Sequence, residues 1–126
     1  MDNDVELGSK GFKTLQKVKD MIRYAYPALA QFPKSEKFAL AADIKRVMDE
    51  VLGYCIDAKR KKGRRTALEK MDSSLAKLKE YVELSHDLGF LATKKFGEWS
   101  KYNDEIGRMI GGMLATVASI PEQHRE

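Results

Sequence analysis

The sequence predicts an all-α protein that folds as an antiparallel up-down-up-down four-helix bundle. Composition is the first observation behind this: the 126 residues are 33% charged and 43% hydrophobic, with only three prolines, a mix that favours long helices over sheet. The second is that apolar residues recur at spacings of three and four in four separate segments, which is the period of an amphipathic helix. The short connections between these segments favour antiparallel neighbours.

A chain of 126 residues fits one domain with a single core. We expect a flexible N-terminal arm at residues 1–11, the bundle at residues 12–120 and a C-terminal tail at residues 121–126. The arm is expected because residues 1–11 are polar, include two glycines and lack periodicity.

Helices one and two are separated by a break at Phe32-Pro33. Helix one is predicted to start near Phe12 and to bury the stripe Leu15, Val18, Ile22, Ala25 and Leu29, with Pro27 kinking or ending it. Helix two is predicted to bury Phe38, Ala41, Ile44, Met48, Val51, Cys55 and Ala58. It should end near Lys62, where Gly63 suits a left-handed cap.

Helix three is predicted to start at a capping box formed by Thr66 and Glu69. Its stripe is Leu68, Met71, Leu75, Leu78, Val82 and Ser85, and it should stop at Leu88 because Gly89 tolerates positive φ and Phe90 can pack back. Helix four has Thr93 as its expected cap and Pro121 as its end. Its stripe is Phe96, Trp99, Asn103, Ile106, Ile110, Met113 and Val117.

Helices two and four carry more apolar residues than one core stripe needs: Leu40, Val47, Tyr54, Tyr102, Met109 and Leu114. Such a wide apolar arc predicts a homo-oligomer. Gly107, Gly111 and Gly112 add to this, since a glycine inside a helix costs about 1 kcal/mol. They indicate either close approach of another helix or simple tolerance in a well-packed bundle.

Six cations stand in one seven-residue stretch, here called the basic segment (residues 59–65): Lys59, Arg60, Lys61, Lys62, Arg64 and Arg65. The net charge of the chain is +4, so the rest carries about −2, and the basicity is one local patch. Such a patch attracts a polyanion and releases its counterions, which favours nucleic-acid binding; a solubilising loop is the alternative.

A second basic surface is predicted on helix one, where Lys10, Lys13 and Lys17 share one side. It would add phosphate contacts, or merely keep the helix soluble. Contacts of this kind hold a ligand without reading its sequence, so we expect salt-dependent binding with little sequence preference.

No catalytic constellation emerges, and no cofactor or metal is expected. Glu83 and His86 have the spacing of di-iron bundles, but such a site needs a second pair, and the only other histidine is His124 in the tail. Cys55 falls on a core stripe, where it acts as a small hydrophobe. No signal region or membrane span is present, so we expect a cytoplasmic protein; a membrane-surface module is a weaker reading because the apolar faces are needed for the core.

Three stretches resemble a known family: residues 32–38, residues 69–89, and the run Glu-Ile-Gly-Arg-Met-Ile-Gly-Gly at residues 105–112. They are similar to Avd, the accessory variability determinant of diversity-generating retroelements. The wider group comprises four-helix-bundle proteins encoded in ribosomal RNA intervening sequences, which share the Phe-Pro-Lys start of helix two. The resemblance covers roughly residues 12–118.

The resemblance implies a non-catalytic, basic pentameric ring. Such a ring would bind the element's reverse transcriptase and its template RNA, or an RNA/DNA hybrid, and so support mutagenic cDNA synthesis and retrohoming. Met113 stands where many relatives have tryptophan, which leaves the ring size open. The alternative is an intervening-sequence bundle or a protein-binding scaffold with no retroelement role.

Overall fold

The computed structural model describes residues 3–119, and of residues 3–5 it describes the backbone only. It contains four helices, α1 (Asn3–Ala30), α2 (Leu40–Asp57), α3 (Arg64–Asp87) and α4 (Thr93–Ala118), with a short 3-10 turn at Lys34–Glu36. No strand occurs among these residues. The predictions for Pro121, His124 and the tail at residues 121–126 lie outside the described residues.

The four helices form an antiparallel bundle, as predicted. Each packs against its neighbour in chain order, and α4 closes the bundle against α1. Three contacts show the opposite directions of α1 and α4: Lys10 meets Thr116, Thr14 meets Met113, and Tyr24 meets Tyr102.

The predicted stripes supply the core. The helix-three stripe is buried throughout, and on α4 only Phe96 is half-buried while Trp99, Ile106 and Ile110 are completely enclosed. A smaller cluster at one end of the bundle joins Leu7, Leu68, Met113 and Val117. Periodicity thus identified most core-facing residues of all four helices.

The N-terminal prediction needs correction, because α1 begins at Asn3 instead of near Phe12. Leu7 is only 3% exposed and packs in the small cluster with Leu68 and Met113. It lies eight residues before Leu15, so it continues the same helical face. Residues 3–11 are therefore the first turns of the bundle, and Pro27 is accommodated inside α1 near its end.

The connection between α3 and α4 forms as predicted. Gly89 adopts φ of 81°, and the amide of Phe90 donates to Ser85 O at 2.9 Å while that of Gly89 donates to His86 O. These two bonds define a Schellman motif. Phe90 also packs against Phe32 with ring centroids 5.8 Å apart.

Two local predictions at this end of the bundle are wrong. Phe38 is 96% exposed, because α2 begins only at Leu40 and the preceding turns direct Phe38 away from the core. Thr93 does not cap α4, since Ala92 occupies the cap position without a side-chain bond. Instead, Thr93 Oγ1 lies 3.1 Å from His86 Nε2.

Part of the additional apolar surface of α2 and α4 is buried within the protomer itself. Leu40 and Val47 are buried in the main core, and Tyr54, Tyr102 and Leu114 pack against it half-buried. A Cβ at Gly107 would lie 3.4 Å from Lys79 Nζ, whereas at Gly111 and Gly112 it would meet nothing within 4 Å. Among these three glycines, only Gly107 lies in close contact with another part of the protomer.

Candidate nucleic-acid interface

The basic segment connects α2 to α3 at one end of the bundle, here called the basic end. Helix α2 ends at Asp57, five residues before the predicted end, and α3 begins at Arg64 with Gly63 at its cap position. Gly63 has φ of 76°, so its predicted left-handed conformation is correct. Thr66 caps nothing, because it already lies inside α3 and the helix start has no side-chain cap bond.

The Arg64 side chain stabilises this connection through two hydrogen bonds to its backbone. Its Nε donates to Ala58 O and its Nη2 to Lys59 O, both at 2.8 Å. Carbonyls at the end of a helix lack intrahelical partners and attract cations, so this guanidinium caps α2. Arg64 is half-buried and acts as a positioning residue for the segment.

Three of the remaining cations face solvent. Lys59, Arg60 and Lys62 are exposed, and among the described residues none of them has a carboxylate within ion-pair distance. Arg65 lies 3.5 Å from Glu69 Oε2, in an exposed pair of small energetic weight. The basic end therefore keeps a net positive charge.

A shallow cleft of about 310 Å³ gathers part of this charge. Arg60 and Lys62 line it from the connection, Tyr54 from α2, and Thr66 and Lys70 from α3. The sequence analysis missed Lys70. Helical spacing identifies this residue, because Lys70 lies three and four residues after Ala67 and Thr66, which follow Gly63 at the same intervals.

The lysines of α1 form a different kind of surface. Lys10 Nζ lies 3.3 Å from Glu6 and donates to Thr116 Oγ1, and Lys17 Nζ lies 3.2 Å from Glu105. Glu105 thus pairs with α1 instead of with Arg108, the partner that spacing suggests. Only Lys13 is exposed, and it lines a groove with Arg108.

A second concavity, here called the end cavity, opens beside the basic segment and measures about 250 Å³. All four helices contribute, with Leu7, Phe12, Leu68 and Met113 among its apolar lining residues. Cys55 also lines it and is 4% exposed. Burial raises the pKa of the Cys55 thiol to about 11, against a smaller opposing effect of the Lys59 charge, so the thiol is neutral at physiological pH.

Comparison with known proteins supplies a family. A family model described as bAvd-like matches residues 13–117, from the third turn of α1 to the last turn of α4. The chain belongs to the bAvd-like family. No curated protein matches it.

Membership of the bAvd-like family confirms the resemblance carried by residues 32–38, 69–89 and 105–112. Proteins of the Avd type are accessory proteins of a non-catalytic kind. The basic segment lies wholly inside the matched range, whereas Lys10 lies before it.

Other chemistry-bearing residues in this bAvd-like protein have structural roles. His86 stacks on Phe96 with ring centroids 4.5 Å apart. The described residues hold no cluster of three or more His, Cys, Asp or Glu placed for a metal ion. None of the described helices has the length and apolar character needed to cross a bilayer.

Proposed function

We propose that this chain is a non-catalytic accessory protein of a diversity-generating retroelement. It binds the template RNA, or an RNA/DNA hybrid, through its basic end and works with the element's reverse transcriptase. Family membership supports the retroelement role. The observation that carries nucleic-acid binding is the group of exposed cations, Lys59, Arg60 and Lys62, which lack a carboxylate partner among the described residues.

The physical basis of binding is neutralisation of phosphates. Each cation that meets a phosphate releases condensed counterions, so affinity falls as salt rises. Lys59, Arg60 and Lys62 project from one short connection, and Lys70 joins Arg60 and Lys62 in the neighbouring cleft. This arrangement suits a phosphate backbone and offers no helix or strand for reading bases in a groove.

Assembly into a homo-oligomeric ring, a pentamer by analogy with Avd, belongs to the same proposal. Tyr102 and Met109 are half-buried apolar side chains seven residues apart on one side of α4, and they supply a surface for subunit contact. A ring would bring several basic ends together, and linked sites bind a polyanion more tightly than single ones.

The test compares two variants of equal charge change. One replaces Lys59, Arg60, Lys61 and Lys62 by glutamine and leaves Arg64 in place, so that the connection stays closed. Its matched control replaces Lys34, Lys37, Lys94 and Lys95, four exposed lysines at the opposite end of the bundle. Fluorescence anisotropy with labelled structured RNA is the measurement, with circular dichroism to confirm folding.

We expect the first variant to lose most of its RNA affinity and the control to keep most of it. Equal losses would show that net charge alone drives binding and would remove the basic end as the interface. Co-purification with the reverse transcriptase encoded beside the gene tests the second partner. A gene located inside a ribosomal RNA gene, with no reverse transcriptase nearby, would favour the intervening-sequence alternative.

A further inference from the structure

The end cavity is apolar inside and cationic at one side. Its apolar lining comes from Leu7, Phe12, Leu68 and Met113, and Lys59 lines it from the basic segment. Phe12 is 62% exposed although it sits at a cavity where Leu7, Leu68 and Met113 are buried. An exposed aromatic ring beside exposed lysine is the combination that single-stranded nucleic-acid binders use to stack a base and hold its phosphate.

Two glycines form part of the wall of this cavity. Gly8 and Gly11 both line it, and a Cβ at either would meet nothing within 4 Å. Glycine inside a helix costs about 1 kcal/mol relative to alanine, and no packing contact among the described residues requires it at these positions. A larger side chain at either position changes the wall of the cavity that Phe12 also lines.

The size of the cavity restricts its ligand. Pockets for drug-sized molecules measure roughly 300–1,000 Å³, so the end cavity, at about 250 Å³, suits one small planar group. A nucleobase has a π-face for Phe12, an apolar body for Leu68 and Met113, and an attached phosphate for Lys59. The same strand can continue along the exposed cations of the basic segment.

We propose that the end cavity receives one unpaired base of an RNA or DNA strand, with Phe12 stacking on it and Lys59 meeting its phosphate. This inference rests on the proposed function, because the strand must already be held by the basic end. It adds a preference: the protein binds a nucleic acid with an unpaired end or bulge more tightly than a fully paired duplex. Bases in a paired duplex are stacked on each other and cannot enter the cavity.

The experiment compares fluorescently labelled blunt and overhang probes on the wild type and on point variants. The probes are a blunt-ended RNA/DNA hybrid and the same hybrid with a short unpaired overhang, prepared once as RNA and once as DNA. The proteins are the wild type, Phe12→Ala, and the control Phe38→Ala, which removes an aromatic ring that is 96% exposed at the opposite end of the bundle. A Gly8→Leu variant, which would fill the cavity, gives an independent check.

The wild type should bind the overhang probe roughly 5- to 10-fold more tightly than the blunt probe, the lower part of the range for base stacking on an aromatic side chain. Phe12→Ala and Gly8→Leu should lose this preference and keep the affinity for the blunt probe. Phe38→Ala should retain the preference. Comparison of the RNA and DNA overhangs tells which kind of strand supplies the base.

Cys55 provides a second readout, since it is the only cysteine in the chain and lines the end cavity. At equal occupancy, the overhang probe should slow alkylation of Cys55 more than the blunt probe does. A wild type that binds both probes equally, or a Phe12→Ala variant that keeps the preference, would overturn the base-binding cavity while leaving the proposed function standing. A wild type that binds neither probe at low salt would overturn the proposed function itself.

Discussion

The chain reverses direction between antiparallel helices at both ends of the bundle, but different groups stabilise the two reversals. At the aromatic end, which holds Phe32, Phe38 and Phe90, the backbone closes α3 with the Schellman motif at Gly89. At the basic end a side chain does this work, as the Arg64 guanidinium donates to Ala58 O and Lys59 O. The first closure uses two backbone amides, those of Gly89 and Phe90, whereas the second uses one side chain that reaches back five and six residues.

The two closures differ in the charge that they add to the helix end. A backbone motif closes a helix end without adding charge, whereas closure by arginine adds a cation to a connection that already holds four lysines and arginines. Like charges in one short connection repel each other, and Arg64 offsets that cost by bonding the carbonyls that carry partial negative charge. The aromatic end has no such need.

The largest expected effect separates the two ends by salt dependence. Each phosphate contact contributes about −0.7 to −0.9 to the slope of log affinity against log salt. Loss of the contacts proposed for Lys59, Arg60 and Lys62 should therefore flatten this slope by about 2 to 3. Replacing residues 59–62 by glutamine should therefore remove about 20- to 40-fold of the affinity change between about 50 and 200 mM salt. The aromatic-end control at Lys34, Lys37, Lys94 and Lys95 should leave the slope nearly unchanged.

Anisotropy titrations at four or more salt concentrations measure both slopes. If the control variant flattens the slope as much as the basic-end variant does, the two ends are equivalent in binding and the basic end is not the specific interface.

The next effect concerns the two left-handed glycines. Gly89→Ala and Gly63→Ala should each lower the free energy of unfolding by about 1–2 kcal/mol, because a Cβ at positive φ meets the following carbonyl. Only Gly63→Ala should also weaken RNA binding, since Gly63 sets the path of Lys62 and Arg64.

Urea unfolding and RNA titration measure these two quantities. Asparagine tolerates left-handed backbone better than alanine, so Gly89→Asn and Gly63→Asn are the matched controls and should recover part of the stability. A Gly89→Ala variant as stable as the wild type would mean that the Schellman closure is not needed.

The same contrast explains which features could be predicted from sequence. Core stripes follow a helical period, and the Gly89-Phe90 closure depends on neighbours in sequence, so the closure and most of the stripe residues were predicted correctly, with Phe38 the clear exception. The end of α2 was predicted too late because apolar spacing continues through Ala58, and nothing in that spacing reports the turns that the Arg64 side chain stabilises. Sequence identified the charges of the basic end but not their pairing: Lys10 and Lys17 have acidic partners, and Lys70 joins the cleft through the fold.

A smaller effect tests the closure by Arg64. Arg64→Lys keeps the positive charge but cannot reproduce two guanidinium bonds to Ala58 O and Lys59 O, so it should cost about 1 kcal/mol of unfolding free energy. RNA affinity should change little, since the charge remains. Urea unfolding and amide exchange of residues 58–63 are the measurements, and Arg65→Lys, which alters an exposed pair with Glu69, is the matched control. Equal stability of the two variants would remove the positioning role from Arg64.

The smallest expected effect is at Thr66, whose sequence context resembles a capping box. A working N-cap threonine contributes about 1 kcal/mol, but Thr66 is exposed inside the first turn of α3 and makes no cap bond. Thr66→Ala should therefore lower the unfolding free energy by less than about 0.3 kcal/mol, because no cap bond is lost and alanine has the higher helix propensity. Glu69→Ala provides the second half of the comparison through its pair with Arg65. A loss near 1 kcal/mol for Thr66→Ala, measured by urea unfolding, would place the start of α3 at Thr66. The connection between α2 and α3 would then be two residues longer, with Arg64 and Arg65 in it instead of in the helix.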